Sequence, residues 1–399
     1  MPEMRRKNIG WILVYCALVA GTSVCTIQAW TYGTDGFVQL VSNLGWILNL
    51  PAWIALYIVH GPGIRTEPIW ITLVNAIGWF GWVGGAWVIW GRQSKRKRES
   101  EFAPFKINAG RRAFVARSTL GGLGAVAAGA AGYATLIEPW QLKVRNYTVK
   151  IEGLDPRLDG FRIAHVSDTH LGPRILTKHI VEAYQMAIDL EPDLIVHTGD
   201  HVHDGVDGID EAAVLCSTMV EAVPLGMVGT LGNHDWWGDG DRLSGALSDV
   251  GVRMIDNARV FLSPNRELVS EPVAGALAIV GLGDLTDHEV LVGQAFDGID
   301  PMMPRLVLAH NPDTAEIGEL TNADSPRVDL MLSGHTHGGQ VRIPFLGTPI
   351  VPSRFGQKYA GGLVDGPAFR VLISRGIGMS MLPVRIGVPP EISVITLRA

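Results

Sequence analysis

Cysteine is scarce in this sequence, and positive charge is in short supply in most of it. Only three cysteines occur among 399 residues, and no two form a CxxC pair, which excludes a zinc knuckle, a thiol-redox motif and a disulfide-knotted fold. Residues 143–399 contain 20 Lys and Arg against 33 Asp and Glu, a net charge of −13. A strongly basic nucleic-acid-binding protein is therefore not expected.

Charge of either sign is absent from three long stretches near the N-terminus. Residues 9–30, 37–59 and 69–90 contain no Asp, Glu, Lys or Arg, and tryptophans lie at several of their ends. A helix of this length, at about 1.5 Å per residue, crosses a hydrocarbon core of about 30 Å. We therefore predict three transmembrane helices within residues 1–91, in preference to buried helices of a soluble protein.

A fourth charge-free run, residues 118–137, follows a basic linker. The linker, residues 92–117, contains nine Lys and Arg and two Glu, and the positive-inside rule places it in the cytoplasm. If 118–137 is a fourth span, the chain is a multi-pass protein of the inner membrane and everything after the span is extracytoplasmic. The pair Arg111-Arg112 ahead of this glycine- and alanine-rich run also resembles a twin-arginine export signal, so both interpretations stay open.

Short apolar runs and helical segments alternate from about residue 143 onward. Residues 161–166 and 194–197 are apolar runs, and 175–189 has helical spacing between them. Such alternation is typical of an α/β domain, and the glycine- and proline-rich tail adds segments that can pair antiparallel. We therefore predict an α/β domain over residues 143–399.

Residue types that bind metal ions follow five of the predicted strands directly. They are Asp168 and His170, Asp200, Asn233 with His234, His310, and His335 with His337. Because ligands bind at the carboxyl ends of strands in α/β sheets, these side chains are expected to converge. Carboxylate, imidazole and amide ligands together favour Mn²⁺, Fe or Zn²⁺ over Ca²⁺. Their number fits two divalent ions that share a bridging hydroxide and a bridging carboxylate, for which Asp200 is the natural candidate.

The order of these motifs resembles that of the calcineurin-like metallophosphoesterase superfamily. The matching segments are Asp168-Thr169-His170, Gly199-Asp200, Gly232-Asn233-His234-Asp235, His310 and Gly334-His335-Thr336-His337. The run 333–341 is similar to the bacterial membrane-linked or exported branch, which includes UDP-diacylglucosamine pyrophosphohydrolase-like phosphodiesterases. The resemblance covers roughly residues 158–399. It implies a four-layer α/β/β/α sandwich with two mixed sheets.

The resemblance also implies a role for each matching residue. One metal would be held by Asp168, His170, Asp200 and His337, and the other by Asp200, Asn233, His310 and His335. His234 would serve as the general acid at the leaving oxygen, and Asp235 would orient it. The sequence departs from the family pattern at His201-Val202-His203-Asp204, where Asp204 is a candidate for the usual acidic residue. The two histidines there are expected at the surface or in hydrogen bonds, with a more distant ligand role as the alternative.

These observations predict a membrane-anchored, two-metal phosphoesterase that hydrolyses phosphodiester or pyrophosphate bonds, with lipid-linked substrates and the bilayer as partners. The alternative is a membrane transport or signalling protein with a regulatory, non-catalytic metal-binding domain. Transport is disfavoured because the predicted spans lack ionisable residues. No oligomeric state is predicted.

Two further groups of residues are candidates for substrate or membrane contact. Trp236 and Trp237 could form a lid, stack on a substrate, touch the membrane or simply pack. The basic residues of the tail are expected to meet an anionic headgroup, and two of them, Arg354 and Arg375, are candidates for binding a phosphate oxygen. That basic set comprises Arg342, Arg354, Lys358, Arg370, Arg375 and Arg385.

Overall fold

The computed structural model describes residues 118–119, 122, 125–126, 129–172, 175–203, 205–380 and 383–399. The three predicted spans within residues 1–91, the basic linker and Asp204 lie outside these residues, and the fourth predicted span, 118–137, is described only in part. Residues 129–136 are helical. Within the described part of the chain, no helix combines the length and the apolar character that crossing a bilayer requires.

Residues Ala134–Ala399 form one compact unit of strands and helices. The strands are β1 (Lys143–Lys150), β2 (Arg162–Val166), β3 (Leu194–Thr198), β4 (Met227–Thr230), β5 (Arg253–Met254), β6 (Arg259–Leu262), β7 (Leu268–Val269), β8 (Leu277–Gly281), β9 (Arg305–Leu308), β10 (Leu330–Ser333), β11 (Gly362–Asp365), β12 (Arg370–Ile373) and β13 (Glu391–Arg398). The α-helices are α1 (Thr177–Asp189), α2 (Ile209–Ala222), α3 (Asn233–Trp237), α4 (Gly240–Asp249), α5 (Val292–Phe296) and α6 (Gly318–Thr321).

The strands form two mixed sheets. The order in the first sheet is β1-β13-β2-β3-β4-β5, and in the second it is β11-β12-β10-β9-β8-β6-β7. Strands β2 to β5 run parallel, whereas β13 is antiparallel to β2. In the second sheet β8, β9, β10 and β12 run parallel, and β6 and β11 pair antiparallel to their neighbours. The predicted α/β fold with mixed sheets is confirmed.

Three apolar layers hold these sheets and helices together. The middle layer lies between the sheets and contains residues of both, such as Ile163 of β2 and Ile279 of β8. A second layer packs the first sheet against α1, α2 and α4, and a third packs the second sheet against α5 and α6. In β3, the alternation of side chains sends Leu194 and Val196 into the middle layer and Ile195 toward the helices.

One basic residue of the tail is part of this interior. The Arg385 side chain is fully buried, and its guanidinium donates to the backbone carbonyl oxygens of Val388, Arg375 and Gly376 at 2.9–3.2 Å. Both terminal nitrogens of the guanidinium are hydrogen-bonded, which compensates much of the cost of burying the charge, whereas Nε has no partner within the described residues. The expectation that Arg385 meets a headgroup is therefore wrong, because its donors hold the loop that follows β12.

Candidate dimetal active site

The loops that follow five strands bring the predicted ligand residues together. Asp168 and His170 follow β2, Asp200 follows β3, Asn233 begins α3 after β4, His310 follows β9, and His335 and His337 follow β10. Residues distant in sequence thus become neighbours, and the Nε2 atoms of His170 and His337 are 2.8 Å apart. Convergence of this kind is expected where parallel strands end.

The first group of candidate ligands consists of Asp168, His170, Asp200 and His337. All four are buried, and their ligand atoms lie within 4.8 Å of one another. His337 Nε2 is 3.3 Å from Asp168 Oδ1, and His170 Nε2 is 3.4 Å from Asp200 Oδ2. Two buried carboxylates need positive charge nearby, which a divalent cation supplies directly. The donor set therefore fits a metal ion.

The second group shares Asp200 with the first. His310 Nε2 is 3.3 Å from Asp200 Oδ2 and 3.2 Å from Asn233 Oδ1. The Nδ1 of His335 is 2.9 Å from the same Asn233 oxygen. Because Asp200 Oδ2 is near imidazole nitrogens of both groups, its position is that of a carboxylate able to bridge two ions.

A backbone carbonyl sets the tautomer of His310. Its Nδ1 lies 2.7 Å from the carbonyl oxygen of Thr198, which can only accept a hydrogen bond, so Nδ1 carries the proton. The lone pair of a neutral His310 ring is then on Nε2, which faces Asp200. Outer partners of this kind orient the histidine ligands of metal sites.

The loops reach these positions through unusual backbone conformations. Five of the candidate ligands have positive φ values between 47° and 68°, a region that residues other than glycine rarely adopt; they are Asp168, His170, Asp200, His335 and His337. Two glycines make room for the carboxylates. A Cβ on Gly232 would lie 2.3 Å from Asp200 Oδ1, and one on Gly334 would lie 2.2 Å from Asp168 Oδ2. Strained backbone of this kind concentrates at functional sites.

Burial and charge set the protonation of the site. Burial lowers the pKa of His335 to about 3 and holds the pKa values of His170 and His337 well below the usual range. These rings are therefore neutral near pH 7, as metal ligands must be. Burial also raises the pKa of Asp168 to about 6.

His310 and Asp200 behave as an ion pair. Burial acts to lower the pKa of His310, but the charge and hydrogen bond of Asp200 together with the charges of Asp168 and Asp284 outweigh burial and raise this pKa to about 10. Burial likewise acts to raise the pKa of Asp200, but His310, His234 and His170 together outweigh burial and keep that pKa well below its usual value. Binding of a cation at Asp200 would therefore compete with the proton on His310.

His234 lies beside the candidate ligands, and with His170 and His203 it forms a further group whose ligand atoms lie within 4.8 Å of one another and could hold a metal ion. Its Nδ1 donates to the carbonyl oxygen of His203, and its Nε2 lies 3.2 Å from Ser380 Oγ. The ring packs edge-on against His170, with centroids 4.6 Å apart, and its backbone N–H donates to Asp200 Oδ1 at 2.9 Å. The residue is 8% exposed.

The contacts of Asp235 differ from the expectation that it orients the His234 ring. Its carboxylate accepts hydrogen bonds from the backbone N–H groups of Gly232 and Val202 at 2.9 and 3.0 Å. Asp235 therefore fixes the loop that carries Asn233 and His234, while the carbonyl of His203 contacts the ring. Burial raises the pKa of Asp235 well above its usual value.

His201 and His203 are both buried, so the expectation that they lie at the surface is wrong. The alternative expectation, that they form hydrogen bonds, is confirmed. His203 is 3% exposed, its Nδ1 is 3.3 Å from Nδ1 of His170, and its ring stacks on His234. His201 stacks on His197, with centroids 3.7 Å apart. The proximity of His203 to both a candidate ligand and His234 was missed. The only sequence signal for it was the unusual pair of histidines after Asp200.

The two tryptophans of α3 occupy different surroundings. Trp236 stacks on His288, with centroids 4.1 Å apart, and packs against the helix-side apolar layer. Trp237 lies 4.0 Å from the His234 ring, and its indole N–H donates to Asp287 at 2.9 Å. Packing therefore accounts for Trp236, whereas Trp237 forms a wall beside His234.

The arginines suggested for phosphate binding also differ from one another. Arg354 is exposed, and its backbone N–H donates to Asp313 at 2.8 Å. The side chain of Arg375 is only 15% exposed, and its Nε lies 3.6 Å from Glu391 Oε2. Binding of phosphate by either residue stays a prediction.

Fold and site together define a two-sheet α/β hydrolase with a histidine- and aspartate-rich metal centre. The family model of calcineurin-like phosphoesterases matches residues 161–339, which include all the candidate ligands. The chain is 32% identical over 289 residues to an uncharacterised metallophosphoesterase, YkuE, of Bacillus subtilis, covering 70% of this chain and 96% of that protein. The chain belongs to the calcineurin-like phosphoesterase family, and it is a metal-dependent phosphoric ester hydrolase.

Two other relatives have names that state an activity. Phosphodiesterase YaeI of Escherichia coli is 32% identical over 242 residues, which cover 59% of this chain and 82% of that protein. The UDP-2,3-diacylglucosamine pyrophosphatase LpxG of Chlamydia muridarum is 26% identical over 311 residues, which cover 66% of this chain and 91% of that protein.

Proposed function

We propose that this protein is a membrane-anchored, two-metal phosphoesterase that hydrolyses a phosphodiester or pyrophosphate bond in a lipid-linked substrate. The observation that carries the proposal is the convergence of two groups of candidate ligands on Asp200, with His234 packed beside them. Asp200 Oδ2 lies 3.4 Å from Nε2 of His170 and 3.3 Å from Nε2 of His310. A binuclear centre needs one such shared carboxylate.

Two divalent ions are held in this proposal by the two ligand groups described above. When bound, they would neutralise the charge of the phosphoester and supply a nucleophilic hydroxide near neutral pH. Mn²⁺, Fe and Zn²⁺ are the ions that suit a mixed carboxylate, imidazole and amide set. The residues of the chain orient these donors, exclude bulk water and provide the acid.

His234 is the residue proposed to protonate the leaving oxygen. Its Nδ1 proton is held by the carbonyl of His203, so a second proton on Nε2 is the one available for transfer. Nε2 lies 3.2 Å from Ser380 Oγ, and in this proposal the leaving oxygen of the substrate approaches this atom. General acids of this kind contribute roughly 10²–10⁴ to turnover.

The substrate class is supported by two independent observations. The relatives YaeI and LpxG are named as a phosphodiesterase and as a pyrophosphatase of a diacylated nucleotide sugar, respectively. The sequence of this chain adds three charge-free runs of membrane-spanning length before its catalytic domain. An enzyme anchored in this way works close to lipid headgroups.

A hydrolysis screen with the full chain in detergent micelles tests the proposal. We expect hydrolysis of an aryl phosphodiester and of a nucleotide-sugar lipid with Mn²⁺, loss of both after metal chelation, and recovery when Mn²⁺ is added back. The matched control is the His234→Asn variant, which should retain metal. If metal-loaded protein hydrolyses neither substrate, the domain is regulatory rather than catalytic.

The membrane topology has its own test. We propose that the 92–117 linker is cytoplasmic and that the catalytic domain is extracytoplasmic, with 118–137 as the last span. A reporter that is active only outside the cytoplasm should be active when fused after Ala399 and silent when fused after Gly91. The reverse pattern would invert the topology.

A further inference from the structure

A small hairpin leaves the active site directly after the last candidate ligand. This 342–347 hairpin begins where Val341 bridges to Ile386, and it closes through paired hydrogen bonds between Ile343 and Gly347 at 2.8 and 3.0 Å. The N–H of Leu346 donates to the carbonyl oxygen of Ile343 at 3.2 Å, which forms a turn over 343–346. The segment is therefore an ordered projection.

The tip of the hairpin is apolar and fully exposed. Phe345 has a relative exposure of 109%, Leu346 one of 71% and Ile343 one of 40%. Isolated exposed apolar residues are ordinary, but three in one projecting turn form an apolar tip that nothing in the described domain covers. Such a tip is unfavourable in water and favourable in a lipid interface.

Phe345 is an unusual residue for its position in the turn. Phe345 has a φ of 68°, and it is the third residue of a turn whose second residue is Pro344. A positive φ at that place favours Gly or Asn, and for a bulky residue it is an outlier. A smaller polar residue at position 345 would relieve the backbone strain and would expose less apolar surface to water. Phe345 therefore does not contribute to the stability of the folded domain, and its role is in a contact with something outside it.

The surroundings of the tip are basic in an otherwise acidic domain. Between Leu330 and Pro390 the sequence contains one acidic residue, Asp365, although residues 143–399 have a net charge of −13. Arg342 at the base of the hairpin and Arg354 after it are both exposed. An apolar tip with flanking cations is the combination that binds an anionic membrane surface.

We propose that the 342–347 hairpin inserts its tip into the headgroup region of an anionic bilayer and so holds the rim of the active site at the membrane surface. This inference rests on the membrane location in the proposed function. The hairpin is close in sequence to Gln340, whose side chain accepts from the backbone N–H of Ser380 at 3.2 Å. The hydroxyl of Ser380 lies 3.2 Å from His234 Nε2, so these contacts link the segment that precedes the hairpin to the proposed general acid.

Spin labelling of the full chain in vesicles tests the insertion. The vesicles contain phosphatidylcholine with a minority of phosphatidylglycerol, and Cys16 and Cys25 are replaced by Ser, while Cys216 is buried and stays. A nitroxide is attached to Phe345→Cys and, as the matched control, to Met302→Cys. Met302 is 77% exposed and precedes β9, whereas His310 follows it, so the control label lies at the opposite end of that strand.

The collision rates of each label with oxygen and with a water-soluble nickel chelate decide the outcome. We expect oxygen to dominate at position 345 and nickel at position 302, with the tip about 5–10 Å into the interface. Equal, nickel-dominated rates at both positions would overturn the proposal. Shielding from both reagents, with spin–spin broadening, would mean that a second copy covers the tip. Shielding without broadening would mean that residues 1–117 cover it. Either shielded outcome also overturns it.

A functional variant links insertion to the substrate. Because Asn suits the positive φ of position 345, Phe345→Asn combined with Leu346→Asn should fold at least as well as the parent. We expect kcat/KM for a nucleotide-sugar lipid in vesicles to fall roughly tenfold, with no change for a water-soluble aryl phosphodiester. An unchanged ratio would contradict the proposed link. If the parent hydrolyses neither substrate, the proposed function fails, and the label experiment still tests the hairpin.

Discussion

The two sheets contribute different chemistry to the site. The first sheet supplies both carboxylates, the amide and one imidazole, and the second supplies the other three imidazoles, those of His310, His335 and His337. The contacts between sheets pair the two kinds of ligand, with Asp200 at 3.3 Å from His310 and Asp168 at 3.3 Å from His337. Neither sheet alone has a complete ligand set. The packing of one sheet on the other therefore creates the site.

The sheets also hold their ligands differently. Each carboxylate of the first sheet accepts a backbone N–H, from His234 for Asp200 and from His335 for Asp168, at 2.9 and 2.8 Å. The second-sheet residue His310 is held by the backbone of the first sheet, through the carbonyl of Thr198. The apolar middle layer brings the candidate ligand residues of the two sheets close together. Hydrogen bonds between the sheets then orient their side chains.

The largest effect is expected from removing the residue that joins the two ligand groups. Asp200→Ala should reduce hydrolysis to background and reduce bound metal, because both groups lose the same oxygen. The measurements are turnover of an aryl phosphodiester and metal content per chain. Asp189→Ala, which removes an exposed carboxylate at the end of α1, is the control. Two bound metal ions in Asp200→Ala would refute the bridging role.

The next effect should separate chemistry from metal binding. His234→Asn is expected to retain metal while turnover falls roughly 10²–10⁴, since His234 is proposed as the general acid and is outside both proposed ligand groups. Single-turnover kinetics and metal analysis of the same preparation check this. Loss of metal in parallel with activity would make His234 a ligand and would change the division between the sheets.

A smaller effect is expected at His203, whose ring packs against both His170 and His234. In His203→Phe the backbone carbonyl that accepts from His234 remains, but the contact with His170 Nδ1 is lost. Because outer partners of ligands typically contribute 10–100-fold, we expect a loss of about that size in activity or metal affinity. His288→Phe, which alters a ring stacked on Trp236, is the control and should be near wild type. Equal behaviour of the two variants would remove His203 from the site.

The smallest effect concerns stability at the crossover between the sheets. Asp256 lies between β5 of the first sheet and β6 of the second, and it accepts the backbone N–H of Leu231 at 2.9 Å. Burial raises the pKa of Asp256 to about 7. The carboxyl of an unfolded Asp has a pKa of about 3.9. The contribution of Asp256 to the stability of the folded state is therefore complete below about pH 3.9 and is lost as the pH rises through about 7.

The Asp256→Asn variant tests this pH dependence, because Asn can still accept from Leu231 but cannot ionise. Relative to the parent, its free energy of unfolding should rise with pH between about 4 and 7 and then level off, by at most about 4 kcal/mol. Thermal unfolding of both proteins across this pH range measures the difference. A difference that does not change with pH would show that Asp256 stays ionised in the fold.

Much of the fold and site could be predicted because the relevant rules are local. Apolar alternation marked strands such as β2 and β3, and the polar residues after them had to lie at the strand ends. A parallel arrangement then brings those ends together, which is why Asp168 and Asp200 could be placed near each other before any coordinates. The fold class and the membership of candidate residues in one cluster follow from that reasoning.

Other features depend on contacts between residues far apart in the chain. The sequence places Asp235 next to His234, but its carboxylate bonds to the backbone of Val202 and Gly232 instead of the ring. Basic residues of the tail look alike in the sequence, yet Arg385 is buried and Arg354 is exposed. No local pattern distinguishes such pairs, because burial is decided by what packs from the other side.

The sequence by itself determined the class of this protein, the identity and order of its candidate ligands, and the strands that present them. Only the tertiary structure decided which residues contact these side chains and which residues stay exposed. It made Asp200 the residue shared by two sheets, put His203 rather than Asp235 against the His234 ring, and left Phe345 exposed. The physical reason is that the end of a strand determines the position of a residue's backbone. The contacts of its side chain depend on which other part of the chain packs there through the apolar layers.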